Sequence, residues 1–278
     1  MKVFLNGAMV NAMEANVSVL DRGFLYGDSV FETLRTYGGK PFYWRAHWKR
    51  LVAGAAALRI KIPNSEDVFL KAIDSMVFAN SMEESVLRIT VSRGVGTRGY
   101  SPKDANRPTV VITQHPVPLI DPANPPSWSV ITSKVRLDEH DPLHTFKTGN
   151  KLLQILARAE ADDKGADESL LLNHRGEMVE GSSSTVFWFE GNTVCTPPIN
   201  AGALQGITRN IVSQIAPPAG LEWRESTGTP ETLHSSEGVF LGQSVWELVG
   251  VSNLDGKPLP SNTKLASLQE AYRQLTRS

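Results

Sequence analysis

The chain has 278 residues, 41% of them hydrophobic and 21% charged, which is ordinary for a folded protein and long enough for one large domain or two modest ones. Its 28 Lys and Arg against 29 Asp and Glu leave a formal net charge of −1, so no broad field draws in nucleic acid or an anionic membrane, and no apolar run approaches the roughly 20 residues a membrane helix needs. The single Cys195 excludes an intrachain disulfide and a multi-cysteine zinc cluster, the six His show no HExxH-like spacing, and the N-terminus lacks a secretory pattern, which together predict a cytoplasmic protein with no metal.

In chain order, strand-like runs open at 2–6 and 31–37, the second turning through Gly38-Gly39 into 41–44 as a hairpin would. Apolar residues then recur at three-to-four spacing: Trp48, Leu51, Ala55 and Leu58 within 45–60, and Val68, Ala72 and Met76 within 65–80. That spacing predicts two amphipathic helices, with Ser65 as the N-cap of the second. Strands follow at 86–92 and 109–114, so residues 1–118 read as an N-terminal α+β domain, an α/β sandwich of sheet and helices. Five prolines from Pro116 to Pro126 favour an extended connector, and the linker is placed at 119–127. Beyond it, strands at 129–135, 169–173, 185–190 and 239–241 alternate with helices at 150–164 and 207–215, and a helix at 263–275 closes the chain. The predicted fold class is α+β in two domains, the second (128–278) a β-rich pseudo-barrel with outer helices.

Four segments carry possible chemistry. Phe146-Lys147-Thr148-Gly149-Asn150 puts a lysine just before a predicted helix whose apolar face is Leu152, Leu153, Ile155 and Leu156, although a lysine taken alone is more often solvated surface. Glu180-Gly181-Ser182-Ser183-Ser184 offers a carboxylate beside hydroxyl and backbone donors, or simply a polar turn between strands. Gly206-Ile207-Thr208-Arg209 begins a predicted helix, where unpaired N–H groups and the helix dipole favour an anion. His47-Trp48-Lys49-Arg50-Leu51 places on a helix an arginine whose rigid fork of donors suits phosphate.

In this order, and preceded by Asp21-Arg22-Gly23-Phe24-Leu25-Tyr26-Gly27-Asp28 and Val30-Phe31-Glu32-Thr33, these segments resemble the class-IV aminotransferases, fold-type-IV enzymes dependent on pyridoxal 5'-phosphate (PLP). Each motif is moderately specific, whereas the ordered set is highly specific and spans most of the chain. The resemblance implies that Lys147 is the Schiff-base lysine, that Glu180 partners the pyridine nitrogen, and that Arg50, Ile207 and Thr208 hold the phosphate, with Ser184 and Ser244 as weaker cofactor ligands. It also implies PLP bound between the two domains, a small amino substrate, and a homodimer whose active sites borrow residues from the neighbour's N-terminal domain. The residue types suit that chemistry. A buried carboxylate favours the pyridinium that makes PLP an electron sink, and one lysine can both hold the cofactor and move a proton at the substrate carbon.

The substrate side separates branched-chain and D-amino acid aminotransferases, R-selective amine transaminases and 4-amino-4-deoxychorismate lyases. The loop Ser92-Arg93-Gly94-Val95-Gly96-Thr97-Arg98-Gly99-Tyr100-Ser101 resembles the RGxGxRGYS stretch of aminodeoxychorismate lyases, with Arg98, Tyr100 and Tyr26 as candidate substrate ligands. On that resemblance the lyase, which releases p-aminobenzoate and pyruvate, ranks first. An aminotransferase for D-amino or branched-chain amino acids ranks second, and a catalytically silent relative third. Arg98 and Tyr100 fall where D-amino acid aminotransferases keep an arginine-and-histidine carboxylate trap, and Tyr100 in place of histidine departs from that pattern. His47, His140 and His144 read as structural or loop residues, and Trp246 as a packing residue.

Overall fold

A computed structural model of the chain describes residues 1–121 and 123–277. Contacts divide it into two units: Met1–Val117 joined by Phe146–Asn150, and Pro118–Thr145 joined by the chain from Lys151 onward. The predicted linker, 119–127, includes Pro122, which lies outside the described residues.

The first unit contains β1 (Lys2–Leu5), β2 (Ala8–Asn11), α1 (Arg22–Tyr26), β3 (Ser29–Tyr37), β4 (Lys40–Pro41), α2 (Trp44–Ala57), α3 (Glu66–Asn80), β5 (Ser85–Ser92) and β6 (Thr109–Pro116). Its strands form one antiparallel sheet in the order β2-β1-β6-β5-β3-β4. Alternation sends Val30 and Leu34 of β3, Leu87, Ile89 and Val91 of β5, and Val110 and Ile112 of β6 to one face, where they pack with Leu51 and Ala55 of α2 and Phe69, Ile73 and Met76 of α3. Period-two β-structure and 3.6-period helices thus close a single core. Two details differ from the sequence expectation. The hairpin through Gly38-Gly39 forms, but its second strand ends at Pro41 instead of reaching Trp44, because Tyr43 takes a left-handed φ of 50° and α2 begins at Trp44. The motif from Asp21 contains a one-turn helix, α1, with the Asp21 side chain accepting from the Gly23 N–H.

The second unit contains β7 (Ser127–Leu137), α4 (Leu152–Asp163), β8 (Glu168–Asn173), β9 (Met178–Gly181), β10 (Thr185–Glu190), β11 (Thr193–Thr196), α5 (Ile207–Ile215), β12 (Glu222–Glu225), α6 (Pro230–Ser235), β13 (Val239–Gln243), β14 (Glu247–Leu254), β15 (Lys257–Pro258) and α7 (Lys264–Thr276). The sheet runs β12-β11-β10-β13-β14-β7-β8-β9, with β15 on β14, and it curls so that β9 meets β10 again across the Gly181–Ser184 turn. This is the predicted α+β architecture with a pseudo-barrel. Its interior holds Val130, Leu170, Met178, Val186, Trp188, Leu241 and Val251.

The apolar face expected on the helix after Lys147 is not a core face. Helix α4 packs on β7 and β8 through Ala157 and Ala161, both 0% exposed, while Leu152, Leu153, Ile155 and Leu156 are 74, 46, 60 and 56% exposed. Periodicity located the helix, but small residues allow the closest approach to a sheet, and the alanine side took that position. Among the described residues no helix is long and apolar enough to cross a membrane, and no group of three or more His, Cys, Asp or Glu could hold a metal ion.

Candidate active site

Within the first unit, Lys147 lies on a strip of chain laid along β3. The Phe31 N–H donates to the Lys147 carbonyl at 3.0 Å, Thr148 bridges to Val30, and the Gly149 N–H donates to the Ser29 carbonyl at 2.8 Å. Gly149 is needed for this approach, since a Cβ there would stand 2.2 Å from Ser29 Oγ and 3.0 Å from the Gly27 carbonyl. The half-buried Lys147 Nζ lies 4.7 Å from the Phe31 ring centroid, and the guanidinium of Arg88, from the neighbouring strand, lies 3.9 Å from the same centroid.

The alternation that buries Val30 and Leu34 also buries Glu32, which is 1% exposed. Arg50 and His47, three residues apart on one face of α2, meet it. Arg50 donates from Nε to Oε1 and from Nη2 to Oε2, both at 2.7 Å, and His47 Nδ1 lies 2.7 Å from Oε2. Burial raises the Glu32 carboxyl, but hydrogen bonds and charge from Arg50, and then from His47, outweigh it and hold its pKa at about 2. Burial lowers the pKa of His47, with Arg50 and Lys147 pushing the same way against the pull of Glu32. The ring is therefore neutral at pH 7, and the ionised Glu32 assigns its proton to Nδ1.

The loop candidates also belong to the first unit. Arg98 and Tyr100 are exposed, Tyr100 at 87%, and the Tyr26 hydroxyl accepts from the Gly99 N–H at 3.2 Å with its ring 5.7 Å from that of Tyr100.

In the second unit, Glu180 stands on β9 opposite Leu171, and its Oε2 accepts from the Leu204 N–H at 2.9 Å. The serines that follow are held by a different carboxylate. Glu168, at the start of β8 and 0% exposed, accepts from the Ser169 N–H at 2.9 Å, from the Ser182 N–H at 3.1 Å, and from the Ser182 hydroxyl. Its other oxygen accepts from the Ser183 N–H and hydroxyl at 3.3 and 3.2 Å and from Ser184 Oγ at 3.0 Å. The serine donors that the sequence offered to a ligand are therefore engaged by Glu168, Ser184 included, although Ser183 stays exposed. Helix α5 starts at Gly206, which has no side chain to cap it, so the first-turn amides and the nearly buried Thr208 and Ile207 make an anion-favouring helix start. Ser244 is half-buried in the turn between β13 and β14, and next to it Trp246 packs edge-on against Trp128 at 5.6 Å.

Three residues outside the sequence-predicted set enter this description: Glu32, Arg88 and Glu168. For Glu32 the signal is its place two residues from Val30 and from Leu34 on β3, which puts all three on one face. Arg88 and Glu168 carry none, because each acquires its surroundings from segments distant in sequence. The first unit thus presents an amine and an arginine, and the second a carboxylate and an uncapped helix start.

Comparison with known proteins identifies the family. Residues 29–254 match the family model for "Amino-transferase class IV". A Methanocaldococcus jannaschii protein named "Putative branched-chain-amino-acid aminotransferase" is 33% identical over 275 residues, covering 99% of this chain and 94% of that protein. The D-alanine aminotransferase of Staphylococcus aureus is 32% identical over 261 residues, covering 93% and 90%. Among solved structures, the Escherichia coli branched-chain amino acid aminotransferase superposes with a TM-score of 0.93 at 27% identity, covering 99% of this chain and 94% of that one. The T.th. branched-chain amino acid aminotransferase with pyridoxamine 5'-phosphate gives 0.92 at 28% identity over 99% and 94%. A Legionella pneumophila structure described as "Putative 4-amino-4-deoxychorismate lyase" gives 0.88 at 24% identity over 95% and 97%, a likeness of fold. The chain belongs to the class-IV aminotransferase family, enzymes whose cofactor is pyridoxal 5'-phosphate.

Proposed function

We propose that the protein moves the amino group of a branched-chain amino acid to a 2-oxo acid, working as a cytoplasmic homodimer. The observation that carries this reading is the 33% identity along 99% of the chain to the archaeal relative named for that substrate class. The lyase reading, ranked first on the loop Ser92 to Ser101, has weaker support, because its structural neighbour at 24% identity shares the fold alone. D-Amino acids are the second substrate class, favoured by the staphylococcal relatives and opposed by Tyr100.

Bound PLP supplies an electron sink for the bonds at the substrate α-carbon. Lys147 would hold the cofactor and carry the proton that leaves and returns at that carbon. Glu180 would keep a proton on the ring nitrogen. Arg50, oriented by Glu32, would grip the phosphate together with the Thr208 hydroxyl and the α5 amides from Ile207 onward, with Ser244 as a lesser contributor. The Ser184 hydroxyl donates a hydrogen bond to Glu168, so its contribution would be to hold the turn. Arg98 would take the substrate carboxylate, with Tyr26 and Tyr100 beside it, and Arg88 adds a cation on the ring that Lys147 also touches. For the homodimer, the exposed Leu152, Leu153, Ile155 and Leu156 present an apolar face that a second copy would cover. Sedimentation of the holoenzyme as a monomer would remove that part of the reading.

The deciding assay supplies the PLP-loaded protein with 2-oxoglutarate and either L-leucine, L-valine or D-alanine. A parallel reaction supplies 4-amino-4-deoxychorismate without any 2-oxo acid. Glutamate formed from the L-amino acids is the expected result. Preferential use of D-alanine selects the second substrate class, and release of p-aminobenzoate with matching pyruvate overturns the aminotransferase reading. Lys147→Ala should abolish turnover, whereas Lys151→Ala should not.

A further inference from the structure

Apart from Tyr26, the motif Asp21 to Asp28 has no part in the chemistry above, yet it holds a nearly buried arginine with unusual partners. The Arg22 side chain is 4% exposed. Its Nε donates to Asp28 Oδ2 at 2.9 Å, Nη1 to the Gly99 carbonyl at 2.8 Å and the Ser101 carbonyl at 3.2 Å, and Nη2 to the Tyr100 carbonyl at 3.1 Å. Three consecutive carbonyls of one loop thus converge on one guanidinium. Asp28 supplies the balancing charge and is itself fixed by Arg93, which donates to it at 2.6 and 2.8 Å and to the Leu58 and Arg59 carbonyls at 2.6 and 3.0 Å.

The rest of α1 holds the same loop. The Arg22 N–H donates to the Gly94 carbonyl, Asp21 bridges to Val95, the Tyr26 hydroxyl accepts from the Gly99 N–H, and the Arg22 guanidinium lies 4.9 Å from the Tyr26 ring centroid. Asp21 also accepts from Ser92 Oγ at 2.9 Å and Thr109 Oγ1 at 2.6 Å, fastening α1 to β5 and β6. With its carbonyls turned in, the loop leaves Arg98 and Tyr100 projecting into solvent, and Gly99, at φ +103°, provides a backbone angle that residues with a side chain rarely adopt.

We propose that Arg22 is a positioning residue for substrate recognition: a buried latch that fixes the loop carrying Arg98 and Tyr100 and thereby sets affinity for the substrate carboxylate. The inference rests on the reading of Arg98 as the carboxylate ligand. Arg22 touches neither cofactor nor substrate, so its removal acts on substrate binding and leaves cofactor binding alone. Lysine cannot replace it, because one ammonium has three donors and no planar fork to meet acceptors spread over three residues and a carboxylate.

The test uses the PLP-loaded enzyme and compares Arg22→Lys, Arg98→Gln and the double variant. Arg22→Lys should raise KM for the amino acid about tenfold or more, with kcat and the PLP dissociation constant changed less than about twofold, because a displaced binding group costs mainly recognition. In the Arg98→Gln background the same substitution should add little, since both act through one contact. Hydrogen exchange, which needs no turnover, should show the amides of 98–103 exposed in Arg22→Lys while those of β3 and β5 stay protected. Gly96→Ala gives a second variant that keeps the arginine, since a Cβ there would lie 2.8 Å from Ala105 Cβ and 3.0 Å from Arg22 Cδ and crowd the latch against its loop. It should shift KM and loop exchange in the same direction by a smaller amount.

Additive effects of Arg22→Lys and Arg98→Gln, or a parallel fall in PLP affinity, overturn the latch in favour of a general structural role. Unchanged KM in Arg22→Lys and Gly96→Ala, with KM raised in Arg98→Gln, overturns the latch alone. Unchanged KM in Arg98→Gln overturns the reading on which it rests, and the latch with it.

Discussion

Glu32 and Glu168 are carboxylates at 1% and 0% exposure, one in each unit, and they are accommodated in opposite ways. Glu32 is met by charge: a bidentate arginine and a histidine from one face of α2. Glu168 is met by number: six N–H and O–H donors from Ser169 and the serine turn share its two oxygens, with no cation among them. A buried carboxylate can be stabilised either way, but the two solutions have different consequences. The first fastens a helix to a sheet and orients a cation, so it depends on ionisation. The second fixes the backbone of a turn directly after Glu180, so it depends on every donor being in place.

Removing the carboxylate sharpens the contrast most. Glu32→Ala leaves Arg50 and His47 beside an apolar void, and a loss of about 3–5 kcal/mol in urea denaturation is expected, as for other broken buried ion pairs. A loss below about 1 kcal/mol would show that charge is not what holds Glu32. Acid titration comes next. The folded pKa of Glu32 lies at about 2, below the ordinary 4.5, so its contribution is present above pH 4.5 and drains away as pH falls toward 2. The span corresponds to about 3 kcal/mol, and Glu32→Gln should flatten the stability profile across that window. His47, whose pKa is also lowered, works in the same direction below its ordinary 6.5. In the second unit, Glu168→Gln replaces an acceptor oxygen with an NH2 group facing donors. Each donor left unsatisfied costs about 1–3 kcal/mol, which chemical denaturation would detect. The smallest effect separates the serines: Ser182→Ala should cost about 1 kcal/mol and Ser183→Ala, with its longer 3.2 Å bond, roughly half that. Equal losses would mean that the turn answers to the carboxylate as a whole.

What the sequence made legible follows from range. Helices α2 and α3 and strands β5 and β6 carry enough periods for a pattern to show, and they stand near where spacing predicts. Strands β2, β9, β11 and β12, of four residues each, are too short to carry a period, and β15 is shorter still. Helix α4 was found with the wrong face, because a row of leucines states that something covers it and not what. Lys147, Glu180 and the α5 start, the proposed cofactor residues, stand out in the sequence as an ordered set of motifs. Glu168 does not, since its partners in the serine turn lie 14–16 residues away and become neighbours only when β8 and β9 pair as a hairpin. Arg22 stood in a quoted motif, but its carbonyl partners are 77–79 residues distant.

The strip Phe146–Asn150, which belongs to the first unit although it follows Pro118–Thr145 in sequence, makes that unit discontinuous. During synthesis the sheet of residues 1–117 leaves the ribosome well before Thr148, the residue that pairs with Val30, so β3 completes its pairing only after the next unit has begun to emerge. A fragment cut at the proline-rich connector would therefore carry α2, α3 and all six strands of the first sheet and still expose the side of Val30 where the lysine-bearing strip belongs. The lysine arrives as the last piece of a unit that otherwise precedes it.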